Sequence, residues 1–317
     1  MCAAAVKIVY FGTPPFAAEI LTFLIANGLD IAAVITKPDR PQGRSGKPVP
    51  TAVKVVTLEA GIPLFQPPLV SDPAFAPQLQ AFGADLFVVV AYGELIKQHL
   101  LDMPRYGCIN VHASLLPKYR GAAPIQRSII DGNVLSGVTI MQMVRKMDAG
   151  DMITTATVTI GETTTYGELE QALCSAAKEP LLAVLEQYAA GVIPDHQPQD
   201  HAAATIAPKI ELEDCQIDWR RSAEQLHNLI RGVNPEPGAW CFLEIKGERK
   251  RLKIWRSSVV EGGDFPPGSL IPGKRGELIV ACGERAVRIL ELQMEGKRRV
   301  TAEQFLSGIS PSTISIH

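Results

Sequence analysis

The sequence predicts an α/β protein built in two parts, a doubly wound, mostly parallel sheet followed by a small β-barrel. Three observations lead there. Through the first half, short apolar runs alternate with longer runs of helical spacing, the pattern of parallel strands joined by crossover helices. "ADLFVVVAYG" (84–93) is apolar almost without interruption, as a strand covered on both faces of a parallel sheet must be. The C-terminal third changes character, with "AWCFLEIKG", "KRLKIWRSSVV", "GELIVACG" and "AVRILELQM" in close succession. Short strands at that spacing suit a small barrel.

The elements follow in order. "VKIVYF" (6–11) is a first strand, and "GTPPF" turns it into the helical run "FAAEILTFLIANG", closed by Gly28. "DIAAVIT" (30–36) is the next strand. "KPDRPQGRSGKPVP" (37–50) carries Pro38, Pro41, Pro48 and Pro50 with Gly43 and Gly46, which excludes regular structure. "TAVKVVTLEAG" (51–61) is a helix, "GCINVHAS" (107–114) a strand, "APIQRSIIDG" (123–132) a helix and "SGVTIMQMV" (136–144) a strand. A helix spans 165–189. "GVIPDHQPQDHAAATIAPKI" (191–210) is poor in large apolar residues and holds three prolines, the composition of a linker. A short helix near 222–231 opens the second part. The expected division is therefore 1–190, a linker over 191–210, and 211–317.

Composition sets bounds. Of 317 residues, 46% are hydrophobic and 20% charged, with a net charge of −2; a soluble globular protein with a sizeable core is expected. The balance is −4 over residues 1–208 and +2 over 209–317, too small an asymmetry to identify a basic partner surface alone. Cys2, Cys108, Cys174, Cys215, Cys241 and Cys282 form no C-x-x-C pair, which argues against a zinc ribbon or a redox dithiol. Scattered single cysteines fit a reducing compartment, and a cytoplasmic location is expected. "MCAAAVKIVYFG" lacks a basic n-region and a long h-region and reads as a strand rather than a signal peptide. No 18-residue apolar run exists, so no membrane span is expected.

The chemistry concentrates at strand ends, where an open α/β sheet keeps its site. In "CINVHASLLPKYRGAAP" (108–124), Asn110 and His112 lie two residues apart and share one face. An amide can donate to a developing oxyanion, and an imidazole can take a proton near neutral pH. A satisfied structural pair is the alternative; the polar turn that follows favours chemistry. In "RKMDAGDM" (145–152), Asp148 lies on the loop after another strand, and Gly150 permits a tight turn. The same position suits an ordinary turn aspartate. "FGTPPF" offers one glycine and two prolines where a dinucleotide binder needs G-x-G-x-x-G, which argues against NAD or FAD. No P-loop and no G-x-S-x-G elbow is present.

"FGTPPFA", "PDRPQGR", "VVVAYG", "GCINVHASLLPKYRGAAPIQ", "GVTIMQM" and "MDAGDM" together resemble the 10-formyltetrahydrofolate-dependent formyltransferases. The proline-rich basic loop, the 191–210 segment and "RGVNPEPGAW" (231–240) are closer to the members that act on initiator methionyl-tRNA. The resemblance covers nearly the whole chain and is strongest over 6–155. It implies a Rossmann-like catalytic domain, an OB-like barrel that contacts tRNA, and a monomer. The family's catalytic residues fall on Asn110, His112 and Asp148. Folate binding falls on Ser114, Leu115, Leu116 and Pro117, with Val90, Ala91, Tyr92 and Gly93 near the pterin. The basic loop assigns Arg40, Arg44 and Lys47 to tRNA. 10-Formyltetrahydrofolate is consumed as a co-substrate, with no permanently bound cofactor and no metal. Two departures stand out: the loop reads "GRSGKPVP" without the family's adjacent lysines, and the common "LDTGD" is "MDAGD". Lys118 and Arg120 have two readings, contact with tRNA or exposure to solvent. "KGERKRLKIWR" (246–256) suits either phosphate contact or protection of an edge hairpin. The rivals are a formyltransferase acting on a nucleotide-linked amino sugar, a non-catalytic RNA-binding protein, and a dinucleotide oxidoreductase.

Overall fold

The computed structural model describes residues 6–41, 46–309 and 313–317. The chain forms two compact units, each discontinuous in sequence. The first comprises Met1–Gly121, Leu135–Thr159 and Glu170–Ala207; the second comprises Ala122–Val134, Ile160–Leu169 and Pro208–His317. Residues 191–207, expected as linker, pack within the first unit, and the helix predicted over 123–132 belongs to the second.

In the first unit, β1 (Ile8–Gly12) leads into α1 (Pro15–Ala26), then β2 (Ile31–Ile35). Pro15 suits the first turn of α1, where a missing N–H costs nothing. A side chain at Gly12 would meet the Ala17 Cβ at 2.7 Å, so glycine lets α1 fold back tightly on β1. β3 (Arg40–Pro41) and β4 (Pro48–Val49) pair as a two-residue ladder. The proline-rich stretch is therefore not wholly irregular. Its ladder forms at the two ends of the loop, each strand contributing a proline. Then come α2 (Ala52–Glu59), β5 (Leu64–Phe65), α3 (Ala76–Gln80), β6 (Leu86–Val90), α4 (Gln98–Leu101) and β7 (Cys108–His112). After α5 (Pro124–Ile130) of the second unit, β8 (Leu135–Gln142) and β9 (Met152–Thr159) return to the first.

The sheet order is β5-β2-β1-β6-β7-β8-β9. Pairing is parallel from β5 to β7 and antiparallel from β7 to β9. The order reverses between β1 and β6, and ligand crevices form at the carboxyl ends beside such a switch point. β1 and β6 are buried along their whole length, as parallel strands covered on both faces require. Phe11, Phe87 and Tyr92 stack within this core, with ring centroids 5.1 and 5.7 Å from Phe11. α6 (Tyr166–Ala189) buries Leu173, Ala177, Leu181, Val184, Leu185 and Tyr188 at helical spacing. Each leucine there contributes about 1.5–3 kcal/mol by burial.

In the second unit, α7 (Ala223–Gly232) opens with a capping box between Ser222 and Gln225. It packs on α5, where a side chain at Gly232 would lie 2.7 Å from Ile130. The strands are β10 (Ala239–Ile245), β11 (Glu248–Val260), β12 (Leu270–Ile271), β13 (Leu278–Ala281), β14 (Ala286–Met294), β15 (Val300–Thr301) and, after α8 (Ala302–Leu306), β16 (Ile314–Ile316). They run β12-β13-β14-β11-β10-β16, with β15 on β14, as a nearly closed antiparallel barrel. "RGVNPEPGAW" has a structural part here. Buried Arg231 donates to the carbonyls of Gly161 and Thr164 at 3.0 and 3.1 Å, and Asn234 donates to the Trp255 carbonyl at 2.7 Å.

Candidate active site

The ends of β6 and β7 lie side by side, with Val89 paired to Asn110. On the other side Asn110 and His112 pair with Met141 and Thr139 of β8. Period-two alternation puts the amide and the imidazole on one face. His112 is buried, and its Nε2 lies 2.9 Å from the Tyr119 carbonyl oxygen. A carbonyl only accepts, so Nε2 carries a proton, and Nδ1 is the ring position left to exchange one. That Nδ1 lies 3.7 Å from Asp148 Oδ2. The Asn110 side chain is half-buried and makes no hydrogen bond among the described residues, leaving its N–H groups available.

Asp148 sits between β8 and β9 in the left-handed region, at φ 50°, where aspartate is one of the few tolerated side chains. Its Oδ2 accepts the Gly121 N–H at 2.8 Å. Gly150 serves differently from the sequence reading. It has no positive φ; instead, a Cβ there would strike the Gln142 carbonyl oxygen. The tight approach of β8 to the loop, rather than the turn, requires the glycine.

The 114–118 turn is held from β8. Thr139 Oγ1 donates to the Ser114 carbonyl at 2.7 Å and accepts the Leu116 N–H at 3.1 Å. The Ser114 hydroxyl donates to the Lys118 carbonyl at 2.7 Å. Leu115 and Pro117 are half-buried and Leu116 is buried. Across from this turn, Val90 ends β6, and Ala91 and Gly93 have φ of 45° and 82° with exposed positions. Tyr92 between them is buried, its hydroxyl has no partner among the described residues, and burial pushes its ionisation well above the usual range. Thr13 ties the two strand ends together by donating to the Tyr92 carbonyl at 2.9 Å.

Lys37, at the base of the basic loop, pairs with Glu94 and lies 5.3 Å from the Tyr92 ring centroid. Asp39 accepts from Lys54 at 2.6 Å and Gln66 at 2.7 Å, and these bonds hold its carboxyl below the usual range. Arg40 and Lys47 are exposed; Arg44 lies outside the described residues. Lys118 is exposed, but Arg120 fits neither of its two sequence readings, because only 3% of it is exposed. Its guanidinium donates to Gln199 Oε1 from Nε at 3.1 Å and from Nη2 at 2.6 Å. Gln199 was invisible to sequence reasoning, since it belongs to no motif and lies 79 residues from Arg120; the Tyr119 carbonyl lies inside the quoted 108–124 motif, but a backbone acceptor leaves no mark in residue type.

The five described cysteines are buried and unpaired, and burial raises their thiols, Cys174 and Cys241 to about 12 and Cys215 and Cys282 to about 11. Among the described residues, no group of three or more histidine, cysteine or acidic side chains could hold a metal ion. No helix among them is long and apolar enough to cross a membrane.

A sheet with an amide, an imidazole and a carboxylate gathered at its strand ends, joined to an antiparallel barrel, defines a class. The family profile described as formyl transferase matches residues 6–185, and that described as formyl transferase, C-terminal domain, matches 209–310. The chain belongs to the formyl transferase family, and within it to the methionyl-tRNA formyltransferases. It is 56% identical to the methionyl-tRNA formyltransferase of Protochlamydia amoebophila, over 97% of this chain and 96% of that protein. Its identity to the enzyme of the same name from Chlamydia abortus is 46%, and to that from Geobacter metallireducens 42%, each over 96% of both chains. Among solved structures, HypX from Aquifex aeolicus in complex with tetrahydrofolic acid shares the fold, with TM-score 0.64 and 15% identity over 96% of this chain and 47% of that one. So does WlaRD, a sugar 3N-formyl transferase, with TM-score 0.65 and 18% identity over 93% of this chain and 99% of that one.

Proposed function

We propose that this protein transfers a formyl group from 10-formyltetrahydrofolate to the amino group of methionine on initiator methionyl-tRNA. The product is N-formylmethionyl-tRNA for translation initiation. The observation that carries this reading is the 56% identity, over nearly the full length of both chains, to a methionyl-tRNA formyltransferase. The chemistry of the strand ends supports it.

The neutral methionine amine attacks the formyl carbon, and a C–N bond forms as negative charge builds on the formyl oxygen. The free amide of Asn110 donates to that oxygen, a role typically worth about two to three orders of magnitude in rate. His112 Nδ1 takes the proton released by the attacking nitrogen, directly or through water. The imidazolium so formed faces the Asp148 carboxylate across 3.7 Å, and the Tyr119 carbonyl keeps the ring from turning. Collapse breaks the bond to the folate nitrogen, and His112 returns the proton to that nitrogen.

Folate lies between the Val90–Gly93 turn and the Ser114–Pro117 turn, against Ala91, Gly93, Leu115 and Pro117, with buried Tyr92 and Leu116 supporting the two turns from below. Arg40, Arg44 and Lys47 grip the acceptor end of tRNA by phosphate contacts. The barrel adds a second contact. On the β10–β11 hairpin Arg249 lies 3.8 Å from the Phe242 ring centroid and Arg251 4.4 Å from that of Trp240. Residues two apart on a strand share a face, so this face offers cations backed by rings. The test is acceptor choice. Purified protein and 10-formyltetrahydrofolate are given initiator methionyl-tRNA, elongator methionyl-tRNA or a nucleotide-linked amino sugar. Formylation of the initiator species is expected; transfer to the sugar instead would replace this reading by its nearest rival.

A further inference from the structure

The two family profiles leave residues 186–208 unmatched, yet part of that stretch is stitched to both loops that carry the site. On one side, the Arg120 N–H donates to the Thr205 carbonyl at 2.9 Å, the Ala207 N–H to the Arg120 carbonyl at 2.7 Å, and the Tyr119 N–H to the Thr205 hydroxyl at 2.9 Å. On the other, Gln197 and Met152 exchange backbone bonds of 2.8 Å. Gln199 joins the two sides. Its Oε1 receives both Arg120 bonds, while its Nε2 donates to the carbonyls of Asp148 at 3.0 Å and Gly150 at 2.6 Å. Every polar position of that amide is used, and a flipped amide would set donor against donor and acceptor against acceptor. Gln199 is 5% exposed.

Among the described residues, the Arg120 guanidinium forms no salt bridge with a carboxylate; its further partner is His201 Nδ1, at 2.9 Å from Nη2. A buried cation held by neutral acceptors is an expensive way to stabilise a fold. What the arrangement fixes is the Asp148 turn, whose left-handed backbone must hold the carboxylate opposite His112. We propose that Arg120 and Gln199 are positioning residues for the formyl-transfer site: Arg120 orients the Gln199 amide, and the amide sets the Asp148 turn. The inference rests on the function proposed above.

Gln199→Glu separates positioning from mere stabilisation. The carboxylate pairs more strongly with Arg120 but presents oxygen to the Asp148 and Gly150 carbonyls. Expected results are a thermal midpoint close to the parent's, KM for folate and for tRNA within about threefold, and kcat lower by about a hundredfold, the scale of a displacement near 1 Å. Gln199→Met removes the donors without adding charge and should lower kcat similarly. The Gly121 amide, which donates to Asp148, reads the geometry without activity: its hydrogen exchange should quicken in both variants. A parent that fails to formylate methionyl-tRNA would refute the functional reading, while the exchange measurement would still judge the positioning. Unchanged kcat and unchanged Gly121 exchange in Gln199→Glu would overturn it. So would a kcat loss in both variants that merely follows the fraction unfolded.

Discussion

Replacing Asp148 by Asn removes one charge and almost no volume. The new side-chain oxygen can still accept the Gly121 N–H, now 2.8 Å from Oδ2, so the turn should keep its shape. What changes is the field at His112. At 3.7 Å, a unit charge pair is worth about 4 kcal/mol at an effective dielectric of about 20. With about half of that realised in the transition state, the loss is about 2 kcal/mol, or roughly thirtyfold in rate; with all of it, about a thousandfold. Single-turnover formylation of methionyl-tRNA, with both substrates saturating, should therefore slow by a factor between these bounds while both KM values stay near the parent's. A kcat within about threefold of the parent's, in a variant of unchanged thermal stability, would refute the electrostatic role of Asp148.

Other predictions follow from the same geometry. Asn110→Ala should lower turnover by about two to three orders of magnitude while folate binding by fluorescence titration is retained; a near-parental rate would remove Asn110 from the mechanism. Arg40→Ala should raise the KM for tRNA and flatten its dependence on log salt by about one unit, leaving the KM for folate unchanged. Burial, opposed by the bond to the Glu162 carbonyl, holds the His227 imidazole below its ordinary value. The unfolded chain then binds more protons than the folded one between those two values. Urea midpoints should thus be highest above about pH 6.5, the ordinary imidazole value, and fall as pH drops through the window. In His227→Gln this part of the slope should vanish. Phe11→Ala, at a fully buried ring that packs on Phe87 and Tyr92, should cost about 3–5 kcal/mol in the same measurement.

Much of this architecture was legible in the sequence, for local reasons. The apolar run around Val88 betrays a covered parallel strand, and the two-residue spacing of Asn110 and His112 puts them on one face wherever β7 lies. The meeting of His112 and Asp148 could not be read from spacing alone, because it depends on the antiparallel return of β8. β9 escaped notice because its threonine-rich sequence is exposed at every second residue toward its end, leaving little apolar signal. The 191–207 segment looks like linker because it is held by hydrogen bonds and not by large apolar side chains. Arg120 and Gln199 meet across 79 residues, and a buried arginine bound to an amide leaves no trace in a hydropathy pattern. The assignment of α5 to the second unit is hidden for a similar reason: its sequence shows that it is a helix, not which core it joins.

The most direct measurement is formylation of initiator methionyl-tRNA from 10-formyltetrahydrofolate by the parent protein and by His112→Ala, run side by side. The parent should yield N-formylmethionyl-tRNA with release of tetrahydrofolate, and the variant should bind both substrates yet turn over about a hundredfold to ten-thousandfold more slowly, the range for a lost general base. No formyl transfer by the folded parent, or parental turnover by the variant, would contradict it.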